Sequence, residues 1–260
     1  ADGTSERQLT DYGVNCCPRI SRDGKRVLFA APAPGDRITT ATVSPNGTKY
    51  KEIRLPDTTI NLGPGAWSPD GRQIAFQVWD TENHHRDGIY IGSTAGRNLK
   101  RLTDPTIADI SGDFSPDGKR LAFFRESSVQ SVGSAWVVNV DGTGLRRLTP
   151  PAMKVGTTIR WSPDGTTILF ASARREPEGA LWTVGPDGSN LKRLFKDADG
   201  RFAISPAWSP NGDNVMFALD PTADEFAHPP NELYVINADG TEPAVVIDTP
   251  DFKREPEWVH

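Results

Sequence analysis

Between residues 64 and 103 the polar and apolar positions fall into four short runs. Residues 64–67 make the first. Residues 72–77, Arg-Gln-Ile-Ala-Phe-Gln, make the second and alternate polar with apolar. Residues 88–92, Gly-Ile-Tyr-Ile-Gly, and 98–103, Asn-Leu-Lys-Arg-Leu-Thr, make the third and fourth. Short alternating runs rich in aromatic and branched residues, bounded by turn letters, predict strands. Ser68-Pro69-Asp70-Gly71 turns the first run into the second, and residues 93–97 turn the third into the fourth. Asp supplies side-chain bonds to turn amides and Gly accepts positive φ, so these letters answer a backbone need. The segment therefore predicts four antiparallel strands.

The pattern is written five times. Ser21, Ser68, Ser115, Ser162 and Ser209 open SRDG, SPDG, SPDG, SPDG and SPNG, each 47 residues after the last, and Phe29, Phe76, Phe123, Phe170 and Phe217 keep the same spacing. Residues 135–139 with 145–149, and 181–184 with 191–194, repeat the third and fourth strands. A period of this size marks a repeat architecture. One four-stranded sheet cannot bury both faces alone, so five must stack face to face around an axis, which makes the chain an all-β β-propeller. The periodic Phe is expected to wedge between neighbouring blades.

The ends carry parts of a further blade. Residues 2–10 align without gaps on 141–149, a fourth strand, and residues 256–260 match 206–210, a first strand. The expected whole is one domain over 1–260, with repeats near 17–63, 64–110, 111–157, 158–204 and 205–255. Residues 1–16 and 256–260 form part of a sixth, closing blade, whose second and third strands are supplied upstream of Ala1 or left open. A five-bladed ring with both end strands left over is the alternative; it leaves unpaired edges and gives Trp258 no role.

Composition adds exclusions. The formal charge of −5 comes from 34 acidic and 29 basic residues spread along the chain, so no nucleic-acid footprint is expected. No apolar run approaches the ~18 residues of a membrane span and no charged-then-apolar leader is present, so membrane insertion is not expected. A chain opening on Ala carries the expectation that something upstream was removed. A monomer is expected. Cys16 and Cys17 are the two cysteines. Neighbours close only a strained eight-membered ring, so they read as two thiols, or as one thiol pairing with an upstream cysteine, against a vicinal disulfide.

The segments AWSPDGRQIAF…IYIGSTAGRNLKRLT and IRWSPDGTTILF…LWTVGPDGSNLKRL resemble the repeat of the TolB-like propellers. That resemblance implies a six-bladed propeller, often exported, hence an extracytoplasmic (periplasmic or secreted) protein that serves as a docking surface or as one domain of a larger chain. The first repeat departs from the pattern: Arg22 replaces the turn proline, and its third strand, residues 39–43, is unusually polar.

In such a blade the loops between the second and third strands and the links between blades share one face, and the short Ser-Pro and Asp-Gly turns lie on the other. Length varies on the first face, where function on a rigid scaffold usually sits. Its candidates are Asn15, Cys16 and Cys17; Glu82, His84, His85, Arg86 and Asp87; Asp109; Arg125 and Glu126; Arg174, Arg175 and Glu176; Asp224, Glu225 and His228; and Lys253, Arg254 and Glu255. Near the channel, the residue two before each repeat serine is Arg19, Ala66, Asp113, Arg160 and Ala207, with Glu257 at the matching place before Val259. These charges either pair and solvate the channel, or Arg19 and Arg160 hold a polar or anionic ligand, guanidinium being matched to carboxylate and phosphate.

Other constellations weigh less. His84-His85 with Glu82 and Asp87 has the residue types of a metal or general-base cluster, but no HExxH or CxxC accompanies it, and solvated loop residues are the plainer reading. Residues 197–200, Asp-Ala-Asp-Gly, open like a calcium loop without its twelfth-position glutamate and read as a turn. No cofactor is expected, with calcium on the axis left open. There is no GxSxG, and a Cys16 or Cys17 nucleophile has no histidine in its blade. The Leu-Lys-Arg-Leu strands read as solvated outer faces. The expected function is a non-catalytic binding module that offers its loop-rich face and channel to a protein, peptide or saccharide. The alternatives are a polysaccharide lyase or glycoside-cleaving propeller using His84 or His85, and the propeller of a peptidase whose catalytic domain lies elsewhere.

Overall fold

Each Ser-Pro-Asp-Gly turn closes on itself. The Ser hydroxyl donates to the Asp carboxylate two residues on, at 2.6 Å in Ser21–Asp23, Ser68–Asp70 and Ser162–Asp164, and accepts the amide five residues on. The fourth residue lies at φ 68 in Gly71 and 70 in Gly118, a region that penalises a Cβ. Arg22 changes none of this. Ser21 keeps its bonds to Asp23 and Gly24, because the motif rests on the serine, the carboxylate and the glycine.

These turns set the inner hairpins of five four-stranded antiparallel units in the computed structural model, which describes residues 8–10, 16–55, 57, 59–104, 108–126, 133–173, 179–222, 231–247 and 255–258. The first is β1 (Cys16–Ile20), β2 (Val27–Ala33), β3 (Arg37–Val43) and β4 (Lys51–Ile53). The second is β5 (Ile60–Trp67), β6 (Gln73–Asp80), β7 (Gly88–Ser93) and β8 (Lys100–Arg101). The third is β9 (Asp109–Phe114), β10 (Arg120–Glu126), β11 (Gly133–Asn139) and β12 (Arg146–Arg147). The fourth is β13 (Val155–Trp161), β14 (Ile168–Ser172), β15 (Leu181–Val184) and β16 (Lys192–Phe195). The fifth is β17 (Phe202–Trp208), β18 (Asn214–Asp220), β19 (Glu232–Asn237) and β20 (Ala244–Ile247). Strands pair in chain order within each unit, and the pair Gly133–Val155 joins the third to the fourth. Inner strands are longer than the hydrophobic runs predict, and β8 and β12 are shorter, because an outermost strand has a partner on one side alone.

The periodic aromatics are the wedges. Phe76, Phe123, Phe170 and Phe217 are fully buried, and Phe29 nearly so. Phe123 packs with Ala75, Ile89, Ile91 and Leu102 of the second blade as well as with its own Leu121 and Val138. A leucine from the preceding fourth-strand position joins each wedge: Leu55 with Phe76, Leu102 with Phe123, Leu148 with Phe170 and Leu194 with Phe217. Leu9 stands in the same relation to Phe29. Leu9 therefore packs on the first blade as a residue of a preceding blade's outer strand would.

The C-terminal segment completes the comparison. Trp67 Nε1 donates to the carbonyl of Arg19 in the blade before it, at 3.1 Å, and Trp258 Nε1 donates to the carbonyl of Ala207 at 3.2 Å. Leu9 thus packs on the first blade while residues 257 and 258 contact the first and fifth, an arrangement compatible with a six-bladed ring. The polar third strand of the first blade is explained by its bonds. Thr39 Oγ1 donates to the carbonyl of Ile53, and the buried Thr40 Oγ1 to that of Leu62 in the next blade, both at 2.8 Å.

The basic outer strands reach sideways, beyond the solvated role expected of them. Lys100 Nζ donates to the carbonyl of Asp141 at 3.0 Å, and Arg146 and Lys192 reach those of Asp187 and Asp239 at 3.5 Å, each in the Asp-Gly turn of the next blade. Arg26 stacks on Trp67 at 4.2 Å and Arg120 on Trp161 at 4.8 Å, again across blade boundaries.

Candidate functional site

The inner strands end at the Ser-Pro turns, and there the residue two before each repeat serine faces the axis. A cavity of about 190 Å³ is lined at this level by Arg19, Ala66, Asp113, Arg160, Ala207 and Glu257, and above them by the Trp-Ser-Pro residues of the turns. The four charged residues expected to gather do gather. Arg160 Nη2 donates to Glu257 Oε1 at 3.0 Å and Arg19 Nη1 to the same oxygen at 3.3 Å. Asp113 stands apart from these pairs and accepts the Trp161 amide through Oδ2 at 3.2 Å.

Electrostatics follow from burial. The Arg160 side chain is 8% exposed. Burial pushes its guanidinium down and the like charge of Arg19 adds to that, while Glu257 and Asp113 oppose it. Burial pushes the Asp113 carboxyl up to about 6, with Arg160 opposing. Above that pH the ring carries two positive and two negative charges; below it, Asp113 becomes neutral and the positive charge dominates. Arg19 Nε and the Nε1 groups of Trp161 and Trp208, both lining residues, are buried donors with no hydrogen-bond partner among the described residues. The two guanidinium groups that meet on Glu257 suit an oxygen-rich acceptor such as a carboxylate. The same donor set does not suit an axial calcium ion, which needs a cage of oxygens free of competing cations.

The cavity opens between the short turns, on the face opposite the loop-rich one. The remaining candidates lie elsewhere. His84 and His85 sit on a single helical turn, His84–Arg86, between β6 and β7. His84 Nδ1 lies 3.0 Å from Asp87 Oδ2, and Arg86 is held by Asp57 and the buried Asp80. The amide of Glu82 donates to Asp80. No group of three or more potential metal ligands occurs among the described residues. Asp109 and Arg125 form a two-bond pair at 2.8 Å under Trp136, and Glu126 continues β10. Asp197 accepts the amides of Asp199 and Arg201 and the Arg201 guanidinium, as a turn residue would. Asn15, Arg174, Arg175, Glu176, Asp224, Glu225, His228, Lys253 and Arg254 lie outside the described residues. Cys16 and Cys17 are thiols, and the Cys17 thiol is pushed up by its bond to Cys16 and by burial, the opposite of an activated nucleophile.

Sequence reasoning missed the indole donors, although a Trp before the repeat serine recurs at 67, 161 and 208 and signals a shared position. It also missed that Arg19 and Arg160 converge on one oxygen, which no spacing reveals.

Four-stranded blades wedged by periodic aromatics around a polar axial cavity define a β-propeller. The whole chain, residues 1–260, matches the TolB beta propeller domain model, and the chain belongs to that family. Among solved structures it is similar to a putative TolB from Agrobacterium tumefaciens, at 23% identity and a TM-score of 0.72, over 93% of this chain and 84% of that one. TolB from Acinetobacter baumannii shares 19% identity at a TM-score of 0.69, over 90% of this chain and 55% of that one. An oligogalacturonate lyase from Vibrio parahaemolyticus shares 14% identity at a TM-score of 0.65, over 97% of this chain and 73% of that one. Likeness at these identities is one of fold. No curated protein matches the chain significantly.

Proposed function

We propose that this propeller is a non-catalytic binding module working outside the cytoplasm, and that its axial cavity on the Ser-Pro turn side receives an acidic group of a protein, peptide or saccharide. The observation that carries the reading is the convergence of Arg19 and Arg160 on Glu257 Oε1. Glu257 belongs to the chain's own last described segment and occupies the fork as an incoming carboxylate would. A partner's carboxylate therefore competes with it.

Calorimetric titration with an oligoglutamate peptide and with oligogalacturonate, each against a neutral counterpart, tests this. Glu257→Gln is expected to tighten acidic ligands. Arg19→Gln with Arg160→Gln, made in the Glu257→Gln background so that Glu257 is not stranded, is expected to abolish the preference. Unchanged affinity in that triple variant removes the proposal.

A lyase is the second reading, favoured by the fold shared with an oligogalacturonate lyase and by the exposed His84–Asp87 pair, a potential general base on the opposite face. Ultraviolet absorbance from an unsaturated product during the oligogalacturonate titration would support it.

A further inference from the structure

Neighbouring residues of a regular strand point to opposite faces, which would hold the sulfurs of Cys16 and Cys17 apart. In β1 the strand is broken at that point. Its register with β2 shifts between Cys16 and Arg19, and Cys17 lies at φ 63. The left-handed conformation is a framework device, since Ser205 (φ 52) and Glu255 (φ 54) adopt it at corresponding positions, each likewise followed by proline. What sets the first blade apart is a second thiol beside the bulge. The bulge breaks the alternation that would hold the two side chains on opposite faces, and the Cys17 thiol is pushed up by Cys16 beside it and by burial. Cys16 is exposed and Cys17 half-buried.

We propose that Cys16 and Cys17 form a vicinal-dithiol site that takes up soft, thiophilic ions of the trivalent-arsenic type as a two-sulfur chelate. With an arsenoxide, each thiol gives its proton to the oxygen on arsenic, the oxygen leaves as water, and two arsenic–sulfur bonds replace the arsenic–oxygen bond. Arsenic stays trivalent, so no oxidant or reductant is required. Inserting an atom between the sulfurs enlarges the ring by one member over the vicinal disulfide and relieves the strain that opposes closure of the eight-membered ring. Cys17 is two residues from Arg19, whose carbonyl accepts the Trp67 indole and whose guanidinium holds Glu257. Loading the dithiol is therefore expected to move the Trp67 indole resonance.

The experiment uses phenylarsine oxide on the folded chain, followed by intact mass spectrometry and by the Trp67 indole N–H resonance. The expected result is one adduct per chain with loss of water. Stripping it should take about a hundredfold more monothiol than the adducts of Cys16→Ser or Cys17→Ser, the gain that two linked bonds give over one, while dimercaptopropanol removes it. Circular dichroism checks that the variants are folded, and the wild-type adduct is informative without them. No adduct on the folded chain, two independent adducts, or one that dilute monothiol strips as readily as it does from the variants would overturn the proposal.

Discussion

Asp113→Asn isolates the cost of placing a carboxylate in the axial cavity. Asp113 accepts the Trp161 amide through one oxygen, a bond the Asn carbonyl oxygen can keep, so the substitution removes charge and little else. Burial raises the carboxyl from the ordinary 3.8 to about 6. At about 1.4 kcal/mol for each tenfold change in acidity, the ionised native chain carries a penalty of about 3 kcal/mol, and screening by cavity water reduces this to about 1–3 kcal/mol. A group whose acidity is weakened on folding contributes stability that is fully present below its unfolded value and lost as pH rises through the folded one. The Asn variant should therefore match the parent near pH 4 and exceed it by about 1–3 kcal/mol above pH 7. Urea unfolding followed by tryptophan fluorescence from pH 4 to 8 measures both, and taking their difference cancels the other titrating groups. A difference that stays flat with pH, or a parent that gains on the variant as pH rises, would refute the reasoning.

Further outcomes are expected. Phe123→Ala, emptying a fully buried wedge between the second and third blades, should cost about 3–5 kcal/mol in urea unfolding, and a cost below about 1 would mean the blade register is wrong. Affinity for an acidic peptide should strengthen as pH falls through about 6, because protonated Asp113 leaves Arg19 and Arg160 in excess over Glu257; calorimetry at pH 5 and 8 shows it. Ser68→Ala should lower stability by about 1–2 kcal/mol, since its hydroxyl donates to Asp70 and accepts the Gln73 amide. The same serine bonds hold Asp23, Asp70, Asp117 and Asp164 below the usual carboxylate range, so their stabilisation is present above that range and fades in acid; Asp70→Asn, which makes one turn neutral, should flatten the acid limb of the stability curve.

The blade was legible because each copy solves one packing problem with the same letters. Ser68, Gly71 and Phe76 each meet a local need, and 47-residue spacing maps one blade onto the next. That mapping also places Arg19, Asp113, Arg160 and Glu257 on one level. It could not say that both arginines reach a single oxygen of Glu257 while Asp113 turns to the Trp161 amide, because those choices depend on distances across the axis. Nor did it give the lining of the cavity by the Trp-Ser-Pro residues of the turns. The sideways reach of Lys100 was hidden for another reason: a basic residue on an outer strand looks the same in sequence whether it meets water or the carbonyl of Asp141. His84 lies in a loop without a periodic counterpart, so only its neighbours, Asp87 above all, decide what it can do.

Hydrogen exchange in the presence of acidic peptides and oligogalacturonates tests most directly where this propeller binds. Ligand-induced protection at residues 19–22, 66–69 and 160–163, lost in the Arg19→Gln, Arg160→Gln, Glu257→Gln chain, is the predicted result. Protection confined to residues 81–87 on the opposite face, indifferent to those substitutions, would contradict it.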